Sequence, residues 1–336
     1  MNGRATVADV AKRAKVSRST VSHALSGKRP ISLKVRERIF AAASALNYTP
    51  SAVGKAIRGQ KMMIVAALVD GMEKASTGVL METFQRAFAK HGYDMAIYVC
   101  GNDSAKALSL MRHLSGGLVD GIVNLLPDIS VNQAVCACSP VPVLTYLRPH
   151  SSSPVYIDVK GGVRDAFDYL WGLGHRKIGF IGGDKAKGAE MISNPEVESV
   201  RFYLRERDAW DPCRVKQSPG EFNDGIVHAD ELFKQGCTAI VAANDQVAAG
   251  IYSWAFGEGV RIPDDLSVVG LNDSPLALML TPALTSVQFP LRETAEITAE
   301  AMVERLNGDS FLQHRVLSPK LIIRRSAEAV KKTEAK

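Results

Sequence analysis

Apolar residues recur at Val7, Val10, Ala11 and Ala14, then at Val16, Val21 and Leu25, then at Val35, Ile39, Ala42 and Leu46. Spacings of three and four residues put each set on one helix face. The first 47 residues therefore predict three short helices around one small core. Thr6, Ser17 and Ser32 stand where N-caps belong. Asp9, three residues after Thr6, predicts a shortened capping box at the positive helix end. From Met62 the pattern changes to short apolar runs: "MMIVAALVD", "DMAIYVC", "GIVNLL", "PVLTYL", "KIGFIGG", "TAIVAAND" and "LSVVGLND". Such near-continuous runs read as strands of parallel sheets covered on both faces. Amphipathic stretches between them predict helices near 78–91, 104–115, 163–173, 197–208, 224–235, 246–258 and 291–307. So many units suit two α/β lobes rather than one.

Charge divides the chain at the same place. Residues 1–60 carry twelve Lys and Arg against Asp9 and Glu37, whereas the rest holds 29 basic and 33 acidic side chains. A basic arm on an acidic body points to a polyanion bound by the arm alone. Val21 and Leu25 face the small core, and Arg18, Ser19, Ser22 and His23 are left on the outer side of the second helix. A polar, basic second helix in a three-helix unit is the arrangement that enters a DNA major groove. The next segment, "NYTPSAVGKAIRG", predicts a helix of about two turns, capped by Thr49, opened by Pro50 and weakened by Gly54. Helices shorter than about 12 residues are marginal alone. This one is expected to fold only where a surface buries Val53 and Ile57, and an apolar side chain there would wedge between base steps in the minor groove. The alternative is a flexible linker.

Here the sequence resembles the lactose-repressor (LacI) type of bacterial transcription regulator, on "VADVAKRAKVSRSTVSHALSG" and "LNYTPSAVGKAIR" and, in the body, "LGHRKIGFIGG", "AANDQVAAG", "GVRIPDDLSVVGLND", "TPALTSV" and "PKLIIRRS". The resemblance spans roughly residues 5–327. It implies a helix-turn-helix head over 1–47, a hinge over 48–60 and a periplasmic-binding-protein-like body over 61–330, with a charged tail at 331–336. In that body one lobe would hold about 61–162 and 290–320, the other about 163–289 and 321–330. It also implies that Arg18, Ser19 and His23 read bases, that Thr20, Ser22, Ser51 and Lys55 lie near the backbone or groove floor, and that Ile57 is the wedge. Thr6 and Arg58 complete this DNA-facing set. Two positions of the head depart from the family. Lys15 replaces the usual Gly of the turn, where a left-handed backbone costs about 1 kcal/mol, and His23 replaces a common Arg.

In open α/β sheets ligands bind beyond the carboxyl ends of strands. The polar residues there are Asp70, Asn124, Tyr146, Arg148, Asp158, Asp184, Asn244, Asp245, Asn272 and Asp273. The resemblance places a small-molecule effector in the cleft between the lobes, near Asp70, Asn124, Arg148, Glu198, Arg201, Phe222, Asn244, Asn272 and Asp273. Glu198 stands where the family's ligand-clamping Arg is expected, with Arg201 one turn further on. A Glu there disfavours a carboxylate or phosphate and permits a polyol, an amino sugar or another cationic group. Glu198 as an ordinary surface helix residue is the alternative.

Enzymatic chemistry finds little support. "FIGGDKAKG" is neither GxGxxG nor GxxxxGK[ST], and His175 reads as a structural turn residue. No metal or cofactor is expected, and the five cysteines read as buried reduced thiols. Met1 to Arg13 lacks an apolar signal core, and no run approaches the length of a membrane span, so a cytoplasmic location is expected. An exported solute-binding protein would share the body but not the basic head. The expected partners are a double-stranded DNA operator, a carbohydrate-like effector and a second copy of the chain. The short tail has no apolar heptad seam to join dimers into a tetramer. The remaining alternative is a constitutive repressor of the same fold whose cleft binds no effector.

Overall fold

The computed structural model describes residues 5–26, 29–48, 61–72, 75–101, 103–126, 129–145, 153–183, 195–309 and 314–331. The chain divides into two compact units, Met1–Met62 and Met63–Lys336. The first contains α1 (Val7–Ala14), α2 (Arg18–Ser26) and α3 (Leu33–Ala45). Val10, Ala14, Val21 and Ile39 meet at its centre without solvent exposure. Thr6 and Asp9 form the capping box. Ser32, expected to cap α3, makes no side-chain hydrogen bond there.

The second unit is built on two sheets. In the first, β1 (Ile64–Val69), β2 (Asp94–Val99), β3 (Gly121–Asn124) and β4 (Val143–Thr145) run parallel in the order β2-β1-β3-β4. Alternation along β1 sorts its side chains. Val65, Ala67 and Val69 pack with Phe84 and Phe88 of α4 (Ala75–Ala89) and with Ala295, Ala299 and Met302 of α12 (Leu291–Leu306). Ala66 and Leu68 pack on the other face with Met111 and Leu114 of α5 (Ser104–Ser115) and Cys138 of α6 (Val131–Cys138). The edge strand β2 departs from the expected continuous burial, for Ile97 and Val99 are exposed. An edge strand has a neighbour on one side only and the flanking helices cover less of it.

After β5 (Val155–Ile157) the chain enters the second sheet through α7 (Val159–Gly172), which begins four residues earlier than its apolar pattern indicates. This sheet has the order β12-β10-β9-β8-β6-β7. Its strands are β6 (Ile178–Ile181), β7 (Val215–Lys216), β8 (Ala239–Ala242), β9 (Ser267–Asn272), β10 (Thr285–Gln288) and β12 (Lys320–Ile322). Only β12 is antiparallel to its neighbour. Phe167 and Leu170 of α7 and Tyr203 of α8 (Pro195–Arg205) cover one face. On the other lie α9 (Phe222–Lys234), α10 (Asp245–Glu258) and the short α11 (Pro275–Met279). Full burial of such a phenylalanine or leucine contributes roughly 1.5–3 kcal/mol. Through α12 the chain returns to the first sheet, and β11 (Arg315–Leu317) pairs with β5 before β12 rejoins the second. The two lobes are thus joined by three chain crossings, after β5, after β10 and after β11.

Of the cysteines, Cys100, Cys138 and Cys237 are buried, and burial pushes Cys138 and Cys237 up to about 11. Cys136 and Cys213 are exposed, which corrects the expectation for those two thiols. Among the described residues no His, Cys, Asp and Glu cluster could hold a metal, and no helix is long and apolar enough to cross a membrane.

Candidate functional site

In the head, α1 ends at Lys15 in the left-handed conformation, φ 49° and ψ 51°. The Val16 amide donates to the Ala11 carbonyl at 3.0 Å, closing the turn before α2. Ser17 then caps α2 by accepting from the Thr20 amide at 3.1 Å. Its hydroxyl also lies 2.7 Å from those of Ser19 and Thr20. Val21 and Ala24 face the core, leaving Arg18 and Ser19 exposed and Thr20, Ser22 and His23 partly so. Lys12, Arg13, Lys15, Arg29, Lys34, Arg36 and Arg38 of the same unit are exposed as well. Thr6 is engaged locally: its hydroxyl donates to Asp9 at 2.7 Å, and these bonds hold the Asp9 carboxyl below its usual range. Ser51, Lys55, Ile57 and Arg58 lie outside the described residues.

In the body the expected effector residues fall into two sets, one per sheet. At the first sheet Asp70 follows β1 and Asn124 ends the adjacent β3. Asn124 is buried, and its Oδ1 accepts from the Leu126 amide at 3.2 Å. Asp70 Oδ1 accepts from the Gly71 amide at 2.9 Å. Arg148, with Tyr146 and Asp184, lies outside the described residues. At the second sheet Asn244 caps α10: its Oδ1 accepts from the Val247 amide at 2.8 Å and its Nδ2 donates to the Gly220 carbonyl at 2.9 Å. Phe222, the first residue of α9, is 38% exposed. Glu198 and Arg201 form an ion pair with each other on α8, so Glu198 is not a bare negative charge. Asp158 caps α7 through the Gly161 amide at 2.9 Å.

The end of β9 is the most elaborate part. Asn272 and Asp273 both have positive φ, 99° and 50°. Asp273 Oδ1 accepts from Arg324 Nη1 at 2.6 Å and its Oδ2 from Gln288 Nε2 at 3.0 Å. Each carboxylate oxygen of this expected ligand contact therefore already accepts one hydrogen bond within the protein. Asp245, only 2% exposed, accepts from the Ser274 amide at 2.5 Å and from the Ser286 hydroxyl at 2.7 Å. Burial pushes its carboxyl up, against the pull of those hydrogen bonds. In the sequence Asp245 stands at a strand end with no role assigned to it, and neither Arg324 nor Gln288 stands out. A separation of 51 positions between Asp273 and Arg324 conceals their pairing, and the only cue is that "PKLIIRRS" places a charged residue directly after an apolar strand.

A separate groove of about 630 Å³ lies at the amino-terminal ends of β6 and β7, lined by Trp171, Arg176, Arg207, Trp210 and Arg214 among others. Arg176 sits 4.2 Å over Trp171 and Arg207 3.7 Å over Tyr203. Arg207 pairs with Asp168, Arg214 pairs with Asp211, and Asp208 also lines the groove. The lining carries three arginines against Asp208 and Asp211, and Asp168, outside the lining, pairs with Arg207. His175 is buried nearby, its Nδ1 2.8 Å from the Thr238 hydroxyl and its Nε2 3.0 Å from the Glu328 carbonyl. It serves as a structural residue.

Two family models match the chain: "Bacterial regulatory proteins, lacI family" over residues 6–51, and "Periplasmic binding protein-like domain" over residues 167–327. The ribose operon repressor of Haemophilus influenzae is 28% identical over 335 residues, covering 97% of this chain and all of the relative. Among solved structures, the lac repressor dimer bound to operator and the anti-inducer ONPF superposes with a TM-score of 0.84 at 21% identity, over 97% of this chain and 100% of that one. The complex of the transcriptional regulator CelR with cellobiose superposes with a TM-score of 0.69 at 26% identity, over 96% and 100%.

Proposed function

The chain belongs to the lacI family of bacterial regulatory proteins, transcription regulators rather than enzymes, and on that premise we propose that it is a repressor that grips a near-palindromic operator as a dimer and answers a neutral sugar. In this reading residues 1–47 are the DNA head, 48–60 the hinge and 61–330 the effector and dimerisation body. Each α2 lies in a major groove, with Arg18, Ser19 and His23 on base edges and Thr20 and Ser22 near the backbone. Thr6, Ser51, Lys55 and Arg58 support this contact, and Ile57 wedges between base steps. The polar outer side of α2, with Arg18 and Ser19 exposed above a buried core, in a unit whose basic residues far outnumber its acids, is the observation that carries the DNA role.

The effector would lie at the carboxyl ends of both sheets, near Asp70, Asn124, Arg148, Glu198, Arg201, Phe222, Asn244, Asn272 and Asp273. Charge argues for its class. The acidic groups on the second lobe are neutralised from within, Glu198 by Arg201 and Asp273 by Arg324. An uncharged polyol needs no charged partner, whereas a bound ion left unpaired in such a cleft would be costly. The ribose operon repressor and the cellobiose-bound regulator agree with a carbohydrate. Constitutive repression is favoured by a different observation: Asn244 engages both ends of its amide, Asp273 both carboxylate oxygens and Asn124 its Oδ1 within the protein. Selecting bound genomic fragments, then titrating the repressor–operator complex with neutral sugars, tests both. Release or tightening by one sugar supports the effector reading. Unchanged operator affinity across the panel, with no heat of binding, supports constitutive repression. Loss of all sequence preference overturns the DNA role itself.

A further inference from the structure

The Asn272–Ser274 turn has a backbone that ordinary side chains rarely adopt, at a place where the reading above puts the effector. Two consecutive non-glycine residues at positive φ persist only where the surroundings over-determine them. The surroundings here are three other elements. From α10, the buried Asp245 accepts from the Ser274 amide at 2.5 Å. From β10, the Ser286 hydroxyl donates to Asp245 at 2.7 Å and accepts from the Asp273 amide at 3.1 Å. From the segment after β12, Arg324 donates to Asp273 at 2.6 Å and to the Leu284 carbonyl at 2.7 Å, while its own amide donates to the Thr285 hydroxyl at 2.9 Å. The side chains of Arg324 and Asp273 are 15% and 6% exposed, so the pair is shielded from competing water. Gly270 makes room for the network, since a Cβ there would lie 2.7 Å from Asp245 Oδ1.

Arg324 also has a position in the chain that a simple structural ion pair would not need. It comes two residues after β12, the first strand after the last crossing between the lobes. Arg324 belongs to the chain that has just crossed between lobes, so its guanidinium joins that chain to the turn through Asp273 and to the Leu284 carbonyl before β10.

We propose that Arg324, acting through Asp273 and together with Asp245, is a positioning residue that holds the Asn272–Ser274 turn in its ligand-receiving form and ties that turn to the last interlobe crossing. This rests on the effector reading above for what the turn receives, but the clamp itself is measurable without a ligand. The experiment uses the full-length protein with Arg324→Met, which keeps the length and apolar stem but loses the pair, and Arg324→Lys, which keeps the charge. Hydrogen exchange read by mass spectrometry follows the peptide spanning residues 270–276. Arg324→Met should speed its exchange about tenfold or more while the peptides of α9 and α10 keep wild-type rates, and Arg324→Lys should recover most of the protection. Calorimetry with D-ribose and with cellobiose, beside operator binding by fluorescence anisotropy, supplies the second readout. For whichever sugar wild type binds, Arg324→Met should weaken binding about tenfold and leave unliganded operator affinity in place. Unchanged exchange in 270–276, or an equal rise across the whole lobe, overturns the clamp. Local loosening with neither sugar bound by wild type supports the clamp and counts against the sugar reading instead.

Discussion

Lys15 closes α1 with φ 49° and ψ 51°, a conformation in which a Cβ meets the following carbonyl oxygen. Glycine avoids that contact. Lys15→Gly should therefore stabilise the head by about 1 kcal/mol, while a β-branched residue at the same place should destabilise it. The check is amide exchange of the α1–α3 peptides in the full-length protein, where slower exchange in Lys15→Gly and faster exchange in Lys15→Val are expected. His175 gives a residue-scale prediction of another kind. Burial holds its imidazole below the usual range, and its ring nitrogens are matched to a hydroxyl and a carbonyl. The unfolded chain then takes up a proton at a pH where the folded chain does not. Its contribution to stability is whole above the unfolded value near 6.5 and is lost as pH falls from there toward the folded value. Urea unfolding midpoints should drop between pH 7.5 and 5, and His175→Asn should flatten that part of the profile.

At the scale of elements, α9 and α10 approach through glycines. A Cβ on Gly225 would lie 2.1 Å from the Val247 carbonyl oxygen, and one on Gly250 would lie 2.0 Å from the Phe222 carbonyl oxygen. Backbone leaves no flexible tip to move aside, so Gly225→Ala must push the helices apart. A loss of about 1–3 kcal/mol is expected, read as a lower urea midpoint for the body with the head's exchange unchanged. This contact also shows what the sequence hides. The helical pattern of "FNDGIVHADELF" was legible, and so were the strands, because buried parallel strands need unbroken apolar runs. Short elements were not. β7, β10, β11 and β12 mix charged or polar residues into two to four positions ("VK", "TSVQ", "RVL", "KLI"), β5 is only "VYI", and their pairing is dictated by tertiary contacts. The cleft residues were legible as polar side chains at strand ends. What each one holds was not, since Asp245–Ser286 and Asp273–Arg324 join residues 41 and 51 positions apart.

For the whole molecule, the argument turns on charge and on number. The surplus of positive charge sits within the first 60 residues and the remainder is net acidic, so the body contributes repulsion rather than affinity toward phosphates. Each head then supplies its own counterion release, and a dimer should show a salt dependence about twice that of one head. That non-specific grip does not need the hinge. In the proposed reading, recognition of a near-palindrome does, because two half-sites at fixed spacing require two heads held in register. Ile57, the proposed wedge, separates the two contributions. Ile57→Gly removes the apolar side chain and lowers helix propensity by several tenths of a kcal/mol, and it leaves every charge in place. Affinity for the selected operator should fall while the affinity for random duplex, its salt dependence and any heat of sugar binding stay at wild-type values. A matched fall on random DNA would mean that Ile57 supports the head as a whole. An unchanged operator affinity would remove the wedge and leave base reading to α2 alone.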